Sequence, residues 1–285
     1  MWQTLSGIWY LARSSLYLWS ERNAPRLGAA VAFYSIFSLT PLVMIAVLIA
    51  GVFVGTDFAR KEFLDELSAL MGEQAANAVE AMMSASLKSG KGTLAGITSA
   101  VTLLIGATGV LVELRTSLDT IHQARTPDSL SGMVHGRLWS LALVLAVGFL
   151  LLVSLILSAV ISALAGWLTA AFPVLAVIAR VFDILFPLAV LTALFGLLMR
   201  WLPSERQTWR SVWGGALLAA ILLTIGKHLL GLYLGRAAFS DPFGAAGSLV
   251  VLVMWVYYAV QVFLLGAAFN EVRIVERAAG RARKR

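Results

Sequence analysis

The sequence predicts an all-α, polytopic membrane protein. It has six transmembrane helices, an N-terminal interfacial amphipathic helix and a helical external loop. Composition is the first reason: 60% of the 285 residues are hydrophobic and 13% are charged, with mean hydropathy +0.86. A typical soluble domain is about 25% charged. The second is a recurrence of long apolar stretches, at Gly28–Gly55, Leu94–Val112, Leu138–Leu164, Val174–Met199, Val212–Leu234 and Gly247–Phe269. Crossing a ~30 Å hydrocarbon core takes about 20 apolar helical residues, and a helix satisfies its own backbone hydrogen bonds there. The third is an uneven distribution of Lys and Arg among the connecting segments. Six spans leave little chain for anything else, so residues 1–285 are expected to form a single membrane domain.

Met1–Asn23 carries Trp2, Leu5, Trp9, Ala12, Leu16 and Trp19 at helical spacing, with Arg13, Glu21 and Arg22 off or beyond that stripe. This pattern predicts a helix lying in the interface with aromatic anchors, not a cleavable signal sequence or a seventh span. Residues 57–92 form the one sizeable external segment. Phe58, Phe63, Leu64, Leu67, Leu70 and Met71 predict one amphipathic helix there, and Val79, Met82, Met83 and Leu87 a second, with a turn at Gly90–Gly92. Such a segment serves either as a cap packed on the spans or as a lid. Residues 271–285 are a basic tail.

Loop charge sets the orientation. Segments 1–27, 113–137, 200–211 and 270–285 hold fifteen of the 22 Lys and Arg residues. The other side holds Arg60, Lys61, Lys88, Lys91, Arg180 and Arg236, diluted by acids in the first loop. Lys and Arg accumulate in cytoplasmic loops, so both termini are expected in the cytoplasm of a bacterial inner membrane. The net charge of +7 is explained by this flanking, and the Arg281–Arg285 run by attraction to anionic lipid. Membrane lipids are the expected partners, and nucleic acid is not. No cofactor or metal is expected: the chain has no cysteine, and His122, His135 and His228 lack ligand spacing. No G-x-x-x-x-G-K-[ST] motif is present, which argues against ATP-driven pumping by this chain alone.

Ionisable groups at membrane depth face protein, a cavity or one another. Lys227 lies seven residues before the outer end of the fifth span, roughly 10 Å in at 1.5 Å per residue. Asp183, near the outer start of the fourth span, is its natural partner. Arg180, three residues earlier on the same face, competes for that carboxylate. Three readings of Lys227 stand: a static ion pair, a cation that meets an anionic substrate, and a side chain that snorkels to the interface. Arg115 and Asp119 are spaced to pair at the inner end of the second span. Pro41, with Tyr34, Ser35, Ser38 and Thr40, and with Thr108 and Gln261, lines a polar groove or serves helix packing. Gly214–Gly215 and Ala216 read as a packing face, and such small-residue faces also permit homo-oligomers.

Three segments are familiar: Arg26–Pro41 (RLGAAVAFYSIFSLTP), Leu202–Leu234 (with LPSERQTWR, WGGALLAA and GKHLLGLYL) and Phe243–Glu271 (FGAAGSLVVLVMWVYYAVQVFLLGAAFNE). Together they resemble the YihY/BrkB family of bacterial inner-membrane proteins, over nearly the whole chain. The sequence departs from that pattern at AFSDPFGAAG, where relatives often carry a Ser/Tyr-rich stretch. It departs again at GAAFNE, where the acid, Glu271, follows Asn270 and does not precede it. The resemblance implies transport, lipid transport included, and serum resistance in one branch. The family's older label, ribonuclease BN, implies a nuclease, yet hydrolytic nucleases hold metal with converging carboxylates or histidines and no such cluster stands out here.

The leading expectation is therefore a non-enzymatic transporter or flippase for an amphiphilic, anionic substrate such as a lipid, with Lys227, Asp183, Arg180 and Gln261 as its binding residues. An ion-coupled antiporter using Asp183 or Glu113 is the alternative, although no span carries a pair of buried acids. A scaffold that organises envelope enzymes is the third reading.

Overall fold

A computed structural model describes residues 2–35, 55–71, 73, 76–77, 79–81, 83–84, 109–124, 175–236 and 245–282. Side chains of 2–6, 8, 58–59, 62, 66, 69–71, 175–184, 230–236, 245–249 and 280–282 also lie outside the description. Every regular element among the described residues is helical. The helices are Trp2–Glu21, residues 24–35, Thr56–Met71, residues 109–122, Leu175–Trp201, Trp209–Arg236 and Ala245–Ala282. The last two, the penultimate and last helices below, are long and apolar enough to cross a membrane, at Trp209–Leu229 and Val250–Ala279. Leu185–Trp201 is a shorter apolar helix. The expected span 138–164, and most of 28–55 and 94–112, lie outside the described residues.

The N-terminal helix stops where Asn23 adopts φ 54°, a left-handed conformation that asparagine tolerates at a helix C-terminus. Pro25 sits in the first turn of the next helix, where its missing N–H leaves no bond unmade. Trp9, Tyr10, Leu16 and Tyr17 of the N-terminal helix are exposed, and Ser15 on the opposite side is buried. An exposed aromatic face is what a helix needs to lie at the headgroup level.

The chain divides into two compact units. One comprises Met1–Trp19, Leu118–Ile221 and Leu265–Arg285. Its core contains Leu118, Ile121, Met199, Val212, Ala216, Ala219 and Ala220, all nearly fully buried. Within it the penultimate and last helices cross at glycine. A Cβ on Gly215 would overlap the carbonyl oxygen of Gly266, and a Cβ on Gly266 would stand 2.5 Å from the carbonyl oxygen of Gly215. Membrane helices associate through such close approach, because lipid gives no hydrophobic drive for one helix to leave it for another. Of the expected packing face at Gly214–Gly215 and Ala216, the two glycines meet the last helix, and Ala216 lies toward Gly196 of the Leu175–Trp201 helix.

The other unit comprises Ser20–Ser117 and Leu222–Leu264. Here the Tyr258 ring lies across Gly226, and its hydroxyl donates to the Leu222 carbonyl at 2.6 Å. Tyr34 packs against Gly109. In the expected external segment, Arg60 of the Thr56–Met71 helix reaches Glu80 at 3.2 Å and the Ser84 hydroxyl at 2.9 Å. Val79 and Met83 are buried. The exposed ion pair is worth ~0–1 kcal/mol; the buried apolar side of residues 76–84 contributes more to holding the two helical pieces together.

Candidate functional site

The exposed side of the penultimate helix is a continuous apolar stripe: Trp213, Leu217, Ile221, Ile225 and Leu229, four residues apart, are 39–60% exposed. Its opposite side, with Val212, Ala216, Ala219, Ala220 and Leu223, is buried. Lys227 follows Leu223 by four residues and adjoins the buried Gly226, so it belongs to the packed side of the helix, and it is half-buried. No carboxylate among the described residues forms an ion pair with it. His228, about 100° further round, is exposed, and its Nδ1 meets the Thr224 carbonyl of its own helix at 2.8 Å. The two adjacent basic residues do not share a site.

Gln261, on the last helix, is placed one turn beyond Tyr258. Its amide nitrogen donates to the carbonyls of Ala24 and Pro25, at 3.4 Å each, and lies against Gly28. Its carbonyl oxygen is buried with no partner among the described residues. The residue thus joins the last helix to the beginning of the first span and keeps an unused acceptor. Lys227 and Gln261 belong to one unit, and Arg180 and Asp183 to the other. Arg180 and Asp183 are on the Leu175–Trp201 helix, with side chains outside the described residues. Pro187 lies inside that helix. Lacking an N–H, it cannot give the bond that the Asp183 carbonyl would accept in a regular helix.

A second set of polar groups, buried in the other unit, was not assembled from the sequence. Asn270 is 2% exposed. Its Oδ1 accepts from Gly215 N at 2.7 Å, and its Nδ2 donates to the Val212 carbonyl at 3.2 Å and to Met199 Sδ at 3.4 Å. Asp119, also buried, accepts from Ser204 twice, from the backbone N–H at 2.7 Å and from the hydroxyl at 2.6 Å. His122 Nδ1 meets Glu271 Oε2 at 2.7 Å, with the histidine side chain 4% exposed and the glutamate 22%. Asp119 and His122 lie three residues apart, on one side of the helix ending at residue 122. One side chain is held by the turn after Trp201 and the other by the last helix. The Arg273 guanidinium crosses Gly214 and lies 5.5 Å from the Phe269 ring centroid.

The helix period gives the Asp119–His122 pairing of faces. Nothing in spacing gives a partner 149 residues away in sequence, as Glu271 is to His122. Among the described residues no group of three His, Asp or Glu side chains converges as a metal site. This set ties helices together and includes one titratable pair.

The model of the family described as Virulence factor BrkB matches residues 16–285. The chain belongs to the BrkB family. Its relatives carry the name UPF0761 membrane protein. One from Stenotrophomonas maltophilia is 26% identical over 260 residues, 89% of this chain and 59% of that protein. One from Xanthomonas campestris is 27% identical over 257 residues, 88% of this chain and 58% of that protein. One from Verminephrobacter eiseniae is 39% identical over 79 residues, 27% of this chain and 19% of that protein. The BrkB-family chain thus spans about three fifths of the length of the relatives it follows throughout. No solved structure matches it. The resemblance read from three sequence segments extends over nearly the whole chain, and it identifies a membrane protein whose relatives' names carry no reaction.

Proposed function

We propose that the protein is a transporter or flippase for an anionic amphiphile, a membrane lipid being the substrate class that fits best. The placement of Lys227 carries the reading. An amine on the packed side of an apolar helix is costly unless an anion meets it. The phosphate of a lipid headgroup passing the helix is an anion that fits. The Gln261 carbonyl oxygen, which has no partner among the described residues, suits a hydroxyl or amine of the headgroup. Reconstituting the full chain into liposomes with a fluorescent anionic phospholipid tests this. Wild type should expose inner-leaflet label to a membrane-impermeant reductant faster than empty liposomes do. No acceleration for any headgroup would overturn the proposal.

A second reading, an ion-coupled antiporter, is favoured by one observation. The His122–Glu271 pair joins two titratable side chains with the imidazole almost fully buried, and a histidine so placed can take up and release a proton in the physiological range. Under this reading, His122→Gln would abolish dissipation of an imposed pH gradient by proteoliposomes while the protein stays folded.

A further inference from the structure

The penultimate helix carries an exposed stripe that is amphiphilic along its length. Arg210, Trp213, Leu217 and Ile221 are all exposed, at i, i+3, i+7 and i+11, one face of a helix. A neighbouring element enlarges the charged end. Arg200, in the last turn of the Leu175–Trp201 helix, sets its guanidinium carbon 4.4 Å from the Trp209 ring centroid. Trp209 stacks on Trp213 with centroids 5.8 Å apart and planes 27° apart. Arg200 Nε is buried with no hydrogen-bond partner among the described residues. Neither Arg200 nor Arg210 forms an ion pair with a described carboxylate.

The geometry points to a binding site for one anionic phospholipid, with its phosphate at Arg200 and Arg210, its glycerol region on Trp209 and Trp213, and an acyl chain along Leu217 and Ile221. A guanidinium seated on an indole presents its donors in one plane, the arrangement that grips phosphate oxygens in pairs. Tryptophan favours the headgroup level, and basic pockets beside spans select anionic headgroups. From Arg210 to Ile221 the stripe is about 16 Å long at 1.5 Å per residue, close to half of the ~30 Å hydrocarbon thickness. One leaflet of a lipid therefore fits it from head to tail. The loop charges place this end of the helix at the cytoplasmic leaflet. The lipid is a resident one, and its binding does not depend on Lys227 or on transport.

Native mass spectrometry of the full chain in mild detergent tests the site. The probes are phosphatidylglycerol and phosphatidylcholine with identical acyl chains. Wild type should retain phosphatidylglycerol about tenfold better, the equivalent of 1.4 kcal/mol. Arg200→Gln combined with Arg210→Gln should remove that preference and leave phosphatidylcholine unchanged. Arg277→Gln, an exposed tail residue, should change neither. Arg210 is exposed, so Arg210→Gln alone carries the test should the double variant fail to fold, with a several-fold loss expected. Equal retention of both lipids by wild type would overturn the proposal. So would an Arg277→Gln effect as large as that of the stripe variants, or a second copy of the chain covering Trp213 in cross-linking.

Discussion

Asn270 satisfies both ends of its amide in a buried position, and two of its three partners belong to the backbone of the penultimate helix. Asn270→Ala leaves buried polar groups without that partner, at about 1–3 kcal/mol each. A lower thermal midpoint in detergent is expected, and an unchanged midpoint would show that the amide is not holding the crossing. Asp119 and Ser204 offer a cleaner measurement, because bonds to a charged group are worth ~1.5–3 kcal/mol. Ser204→Ala and Asp119→Ala should each destabilise, and the double variant should cost less than their sum; strict additivity would mean the two do not interact. At this scale the sequence was partly legible. The helical register of Lys227 against Leu223 and Ile225 can be worked out from the letters. The partners of His122 and Asn270 cannot, because they depend on which helices meet.

The glycines of the penultimate and last helices show what an element-level pattern conveys. A small-residue run announces close approach, and the structure supplies the register, Gly215 against Gly266. Gly215→Ala forces a methyl into a carbonyl oxygen, an overpacking cost of roughly 1–3 kcal/mol. Gly7→Ala, where a Cβ meets nothing within 4 Å, should be neutral or slightly stabilising, since alanine loses less entropy in a helix. Thermal unfolding of the two variants should separate them, and equal effects would contradict the crossing. The N-terminal helix was legible as a type, from its aromatic spacing. Spin labels along residues 7–20 should alternate in depth with helical period near the headgroups; continuous passage to the bilayer centre would make it a span.

For the whole molecule, hydropathy alone separated a membrane protein from a soluble one, and the family match agrees. Orientation rests on loop charge. The absence of cysteine makes single-cysteine labelling clean: Glu73→Cys and Glu205→Cys, both at exposed positions, should react from opposite sides of intact membrane vesicles. Reaction of both from one side would reverse the topology. The role of Lys227 is the least legible feature, because a lone cation in an apolar helix reads equally well as a pair, a site or a snorkel.

Lipid scrambling by Lys227 variants in liposomes decides among these most directly. Lys227→Met should slow translocation of an anionic phospholipid at least about tenfold, or ~1.4 kcal/mol of barrier, in a protein that remains folded. Lys227→Arg should retain most of the activity, and pairing Lys227→Met with Asp183→Asn should not restore it. Full activity of a folded Lys227→Met variant, or its rescue by Asp183→Asn, would contradict a role for this amine in carrying an anionic amphiphile.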